Sequence, residues 1–267
     1  MALEPDRQPA YKYLPMSQGQ ALIRILNLLP GFGSMQIRCV TEVHPVDRAP
    51  PYTALSYTWG LEEPRQEIEL DGQLFMVRPN LHNFLRRIRH DKSTCVIWID
   101  AICIDQENPV EKGHQVAMMG DIYRSARDVQ VWLGEAADNS DQAMDLLLEI
   151  EGSGRTMDEQ RNNIVREVYR QRVGKPLLKL YTRPYWQRVW ILQEVFLAKD
   201  IRIICGSRDF DPSRMYPGDQ FMSPWRIVLS QSDIEPTDVV FRLEQFDAIG
   251  RPSPHNPEEF HCIGIGA

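Results

Sequence analysis

A chain of 267 residues, 43% hydrophobic and 25% charged, is long enough for one large domain, or one domain and part of a second, and has the makeup of a soluble globular protein. Its 30 Lys and Arg against 37 Asp and Glu leave a net charge of -7, which argues against a nucleic-acid surface, since those carry a basic excess or stripe. No apolar run approaches the ~20 residues of a membrane-spanning helix, and the N-terminus lacks the apolar core of a signal peptide.

Five scattered cysteines, Cys39, Cys95, Cys103, Cys205 and Cys262, read as reduced, buried thiols of a cytoplasmic protein and not as a disulfide framework. No CxxC or HxxxH spacing occurs, so no metal site is expected.

Residues 1–20 form a polar, Pro-containing arm. "ALIRILNLLP" and "MQIRCVTEVH" flank the turn "GFGS" and predict a β-hairpin. "TALSYTW" is β-branched and aromatic, punctuated by Gly60, and reads as a strand. "IELDGQLFMV" predicts a second hairpin around Asp71-Gly72. In "PNLHNFLRRIRH", Leu81, Phe84, Leu85 and Ile88 recur at the spacing of an amphipathic helix, with the arginines on its solvated face.

"CVIWIDAICIDQ" suits a parallel strand buried on both faces. "EKGHQVAMMGDIYRSAR" reads as a helix and "DVQVWLG" as a strand, which makes a βαβ unit and hence a mostly parallel α/β sheet flanked by helices. Between Asp138 and Gly174, two charged surface helices are expected, broken near Gly152–Gly154. "RPYWQRVWILQEVFLA" (Arg183–Ala198) reads as one helix apolar nearly all round, followed by the strand "DIRIICG". Beyond Ser207 the pattern weakens into a Pro-rich extension that stops abruptly.

In open parallel sheets, ligands bind beyond the carboxyl ends of the strands. The first such end supplies Ser56, Tyr57, Trp59 and Gly60; the second supplies Asp100, then Asp105 and Gln106; the third ends at Gly134 and Glu135. Glu194 is the anomaly, one carboxylate inside an apolar helix. It must be paired, hydrogen-bonded, or turned to a cleft. One reading is a buried ion pair with Arg183 or Arg188, or a bond to a loop N–H. The other is a cleft carboxylate that stabilises positive charge in a bond-breaking step.

"YTALSYTWG", "VIWIDAICIDQENPVEKGHQVAMMGDIYRSARDVQVWLG" and "RPYWQRVWILQEV" resemble, in order and spacing, the three signature blocks of the HET domain, the heterokaryon-incompatibility domain of filamentous fungi. The resemblance spans roughly Tyr52 to Gly206. It sets a HET domain over residues 21–206, after the N-terminal arm and before a C-terminal extension, 207–267, that looks truncated. Asp105 stands where the family usually has Asn, and Lys112 where Arg is common.

The resemblance implies a cytoplasmic protein that triggers cell death when unlike hyphae fuse, working through self-association or an allelic partner protein. The family is distantly similar to TIR domains, with their flavodoxin-like sheet, and here the β-hairpin would be an N-terminal extension of it. Many TIR domains cleave NAD+ with a glutamate in a WxxxE motif, and this chain reads Trp190-Ile191-Leu192-Gln193-Glu194. By that likeness Glu194 would be catalytic, stabilising an oxocarbenium-like state as carboxylates do in glycoside hydrolysis. Trp190 would pack beside it, and Ser56, Tyr57, Trp59, Gly60 and Asp100 would bind the substrate. No Rossmann fingerprint is present, so NAD+ would be a substrate and not a cofactor. The competing expectations are a non-enzymatic self-association module and an inactive, truncated paralogue.

Overall fold

The computed structural model describes residues 11–17, 20–152, 174–188 and 190–212, all within one compact unit spanning Met1–Phe221. The expected second surface helix near 155–173 and nearly all of the extension after Ser207, with Cys262, lie outside the described residues.

Both expected hairpins form. β1 (Leu22–Leu28) runs antiparallel to β2 (Arg38–Pro45). β4 (Gln66–Leu70) runs antiparallel to β5 (Gln73–Val77). In the second turn Asp71 and Gly72 both take positive φ, 51° and 75°, the backbone a two-residue hairpin requires. α1 (Pro79–Ile88) opens on a proline, whose missing N–H costs nothing at a helix start, and buries Leu81, Phe84 and Leu85.

β3 (Thr53–Tyr57) and β6 (Cys95–Trp98) are parallel neighbours. After β6 come α2 (Asp100–Cys103), α3 (Pro109–Ala117) and α4 (Met119–Ser125). Asn108 caps α3 by accepting from the N–H groups of Val110 and Glu111. The single helix expected over this stretch is therefore two. The Met118 amide is shared between the His114 and Gln115 carbonyls, and this tightened turn re-aims α4.

β7 (Asp128–Trp132) then lies parallel to β3 on its other side, completing the expected βαβ unit. α5 (Ser140–Gly152), α6 (Gly174–Tyr181), a 3-10 turn (Pro184–Gln187) and α7 (Ile191–Phe196) lead to β8 (Ile201–Cys205), parallel to β7, and β9 (Arg208–Phe210), antiparallel to β8.

One nine-stranded sheet results, in the order β5-β4-β2-β1-β6-β3-β7-β8-β9. The expectation of a mostly parallel sheet is corrected: it is mixed. β6-β3-β7-β8 are mutually parallel, but β1 pairs antiparallel with both β2 and β6, and the β4–β5 hairpin joins through a parallel β2–β4 pairing. The N-terminal hairpin is thus no appendage; it is built into the sheet. A strand buried on both faces reads as a continuous apolar run whichever way it points, so nothing in "LIRILNL" marks its direction. Taken in their own chain order, the four parallel strands lie 2-1-3-4, an order used by doubly wound sheets.

β3 is buried throughout and forms the centre of the core. Of the four described cysteines, Cys39, Cys103 and Cys205 are buried, Cys95 is half-buried, and none is disulfide-bonded. Among the described residues no helix is long and apolar enough to cross a membrane.

A charged residue of the amino-terminal hairpin also sits in this core. Arg24 on β1 is 1% exposed. Its guanidinium donates to both carboxylate oxygens of Glu111 on α3 (2.9 Å to Oε2), to the Cys103 carbonyl (3.0 Å) and to the Leu14 carbonyl (2.8 Å). It also lies 4.7 Å from the Tyr13 ring centroid. Tyr11 donates to Asp71 at 2.6 Å. Residues 11–17 of the arm are therefore docked by polar contacts. Burial alone would raise the Glu111 carboxyl, but the Arg24 fork outweighs it and the net direction is down. Removing one partner of such a pair strands a buried charge. Arg24→Leu is expected to cost about 3–5 kcal/mol in urea unfolding, and Arg24→Leu with Glu111→Leu to regain most of it.

Candidate functional site

The sheet alternation decides what can meet near Glu194. Successive residues of a strand point to opposite faces. On β3, Ser56 therefore faces the side covered by α4 and α7, while Thr53 and Tyr57 face the side of α1. Tyr57 is fully enclosed there, across the sheet from Ser56.

The expected continuous helix over Arg183–Ala198 does not form. Pro184 holds the preceding residue extended, with Arg183 at ψ 147°, and starts the 3-10 turn; Arg188 is again extended, with ψ 133°, before α7 begins at Ile191. This break has a chemical result. In an unbroken helix at 100° per residue, Arg188 and Glu194 would point about 120° apart. With the chain bent at Arg188, its guanidinium folds back onto Glu194 as a two-pronged fork: Nη1 to Oε2 and Nη2 to Oε1, each 2.8 Å.

Glu194 is 0% exposed. Ser56 Oγ donates a short bond to its Oε2, and Ser56 Oγ and the Tyr185 hydroxyl lie 2.7 Å apart. The Arg188 guanidinium sits 5.7 Å from the Tyr185 ring centroid, and its side chain is 21% exposed. Desolvation pulls the Arg188 pKa down, but the Glu194 carboxylate outweighs it and the guanidinium is held more firmly charged. Both carboxylate oxygens are engaged, and nothing on this side chain is left to face a ligand.

The other expected site residues separate into two groups. Asp100, at the start of α2, accepts from the Trp59 indole at 3.0 Å and from the Ala101 N–H at 2.7 Å. Trp59 in turn stacks under Arg78, 5.0 Å from the ring centroid. Gly60 lies away from Glu194, against α1: its φ is +72°, and a Cβ there would come within 3.3 Å of Asn80. Trp190 ends up at the mouth of α7 with 47% of its surface exposed, not packed over the carboxylate. The structure thus gathers Ser56, Glu194 and Arg188, sets Asp100 and Trp59 beside them, and places Tyr57 and Gly60 on the α1 side.

Tyr185 was not expected at the site; its only sequence signal is its position in the apolar run before Glu194. The Thr58 hydroxyl, buried just after β3 with no hydrogen-bond partner among the described residues, carried none. Among the described residues no group of three or more His, Cys, Asp or Glu side chains is arranged to hold a metal ion.

With this geometry in view, the comparisons define the class. The family model for the heterokaryon incompatibility protein (HET) matches residues 52–194, a span that opens at Tyr52, which leads into β3, and closes at Glu194. The chain belongs to the HET family. It is 30% identical over 237 residues to "Heterokaryon incompatibility protein 6, OR allele" of Neurospora crassa, a match covering 74% of this chain and 35% of that protein. The chain therefore spans about a third of that relative's length, at the 35% just given. No solved structure matches it significantly.

Asp100 provides a pH handle on the site. Burial pushes its carboxyl up to about 6, against the Trp59 bond and with the Glu194 charge adding to the rise. In the unfolded chain it titrates near 4, roughly. Between those values the folded protein keeps a proton that the unfolded chain has released. Stability from this group is therefore full below about pH 4, falls as pH rises towards 6, and is level above that. Asp100→Asn, which keeps an acceptor for Trp59, removes this fall. Relative to wild type it should gain about 1–3 kcal/mol between pH 4 and pH 7, read from urea unfolding at the two values.

Proposed function

We propose that this chain is a HET-domain module of fungal non-self recognition that signals cell death by assembly, and that Glu194 is the tie holding α7 to the sheet. The observation that carries this reading is the closed Arg188–Glu194–Ser56–Tyr185 cluster. An oxocarbenium-stabilising carboxylate has to face the substrate's sugar, and here it is enclosed with both oxygens used. The relative's name, an allele of an incompatibility protein, supports the non-self recognition half of the proposal and an allelic partner.

A second reading has an observation of its own. Ser56 stands near the carboxyl end of β3, and Asp100 just beyond that of the adjacent parallel β6, in a 2-1-3-4 set, where doubly wound, flavodoxin-like and TIR-like folds place their ligands. In that reading the domain hydrolyses NAD+ at the nicotinamide–ribose bond. Arg188, the partly exposed member of the cluster, swings out on assembly and frees Glu194.

The two readings part on one experiment. Glu194→Gln alone strands the Arg188 charge and is expected to cost about 3 kcal/mol; the double variant Glu194→Gln, Arg188→Met removes both charges and is expected to refold to near wild-type stability. When this double variant is expressed in hyphae, the assembly reading expects cell death to persist, and no nicotinamide release from NAD+ by concentrated wild-type protein. Loss of death in the folded double variant, together with nicotinamide release by wild type, would overturn it in favour of hydrolysis.

A further inference from the structure

The two borders of the sheet are built differently. β9, at one border, is three residues long and its charged side chains are held: Arg208 pairs with Asp141 and Asp145, and Asp209 with Arg87 and Arg202. A short, charged strand resists pairing with another chain. β5, at the opposite border, reads Gln-Leu-Phe-Met-Val. It carries no charge and no proline, and its register with β4 runs unbroken from Gln73 to Val77, so no bulge twists it away.

The turn fixes which backbone groups of β5 are open. Asp71 and Gly72 make a two-residue hairpin turn, in which the flanking residues, Leu70 and Gln73, exchange hydrogen bonds. Alternation along the ladder then aims the N–H and C=O of Gln73, Phe75 and Val77 at β4, and those of Leu74 and Met76 outwards. Among the described residues no backbone group outside the hairpin bonds to Leu74 or Met76. Side chains alternate too. Leu74 and Met76 share one face, where Met76 is exposed. On the other face Phe75 meets Tyr11 and Tyr13 edge-on, with ring centroids 5.5 and 6.4 Å away.

An open edge by itself is ordinary; what marks β5 is that it complements itself. We propose that β5 pairs antiparallel with β5 of a second copy across a twofold axis at Phe75, joining the two sheets into one. In that register Leu74 of one copy stands opposite Met76 of the other. These are the two residues whose backbone groups point outwards, so each such pair exchanges two hydrogen bonds. All five residues of β5 find a partner, in uncharged pairs: Leu74 with Met76, Phe75 with Phe75, and Gln73 with Val77.

Charge favours the same register. One step beyond β5 it sets Arg78 of one copy across from the Asp71-Gly72 turn of the other, with opposite signs at both ends. The β4 carboxylates, Glu67 and Glu69, stay three strand spacings, about 14 Å, from their counterparts, beyond the Debye length of about 8 Å at physiological salt. The pairing rests on the assembly reading above and gives it a surface. The contact is isologous and closes at two copies. Its small size makes it weak and dependent on concentration.

Sedimentation equilibrium of the full chain over roughly 5–500 µM tests this. The mean mass is expected to rise from one chain towards two, and the Leu74 and Met76 amides to exchange more slowly with solvent at the upper end. Leu74→Lys with Met76→Lys sets like charges opposite each other across the axis and should weaken the dimer about tenfold. Within one chain these positions stand opposite Glu69 and Glu67 on β4, so the fold is expected to hold. Leu74→Glu with Met76→Lys sets opposite charges across the axis and should restore pairing. Wild type that stays a single chain throughout overturns the proposal, as do unchanged amide exchange in a dimer and a first double variant that pairs like wild type. A charge swap that fails to restore pairing rules out the axis at Phe75 and overturns it too. The assembly reading fails separately: if the first double variant loses the dimer and still kills hyphae, the β5 pairing stands and signalling by assembly does not.

Discussion

The Arg188–Glu194 pair is the constraint on which the carboxyl side of this sheet depends. A carboxylate taken out of water needs an opposite charge and hydrogen bonds together, and here it has both: a guanidinium fork on one side, a serine hydroxyl on the other. Ser56 belongs to β3, an interior strand, and Glu194 to the helix leading into β8, so the cluster joins two segments far apart in sequence. Tyr185 completes it from the 3-10 turn. The price of the pair is a broken helix, because only a bend at Arg188 lets residues six apart meet.

The same geometry explains why this family span is hard to classify from its motif alone. WxxxE describes a carboxylate one turn after an indole. It does not say whether the indole covers the carboxylate. Here the indole faces solvent and the carboxylate faces inward, so the two residues of the motif are divided between the surface and the core. The buried half of the site is electrostatic, while the outer half, Trp59 with Asp100 and Arg78, is a stacked and hydrogen-bonded rim whose carboxyl is poised near neutrality.

Much of the local structure was legible in the residues. Asp71-Gly72 predicts its turn because few other pairs accept two positive φ values, and the stripe Leu81, Phe84, Leu85 predicts α1 because only one helical face is apolar. What was hidden follows from longer-range physics. The direction of β1 was hidden because both its faces are buried. The split at Met118 and the bend at Arg188 were hidden because apolar residues on both sides of a break keep an unbroken pattern. The partners of Glu194 were legible only as alternatives: Arg188 was one of two arginines in reach, and Ser56 entered as part of a strand end. Tyr185, and the orphan oxygen of Thr58, depend on tertiary placement that no spacing encodes.

The position of β1 has a consequence for how the protein is made. β1 and β2 are synthesised before β6 and can pair at once, yet β1 lies between β2 and β6 in the finished sheet. From the moment the hairpin leaves the ribosome until Cys95–Trp98 follows, one edge of an apolar strand stands open, the kind of edge that recruits foreign strands. Arg24 lies on that strand, a charge that disfavours stray pairing before Glu111 arrives to neutralise it. Removing β1 and β2 would not trim the sheet at a border. It would cut it in the middle, leaving the β4–β5 hairpin without its link to the parallel strands.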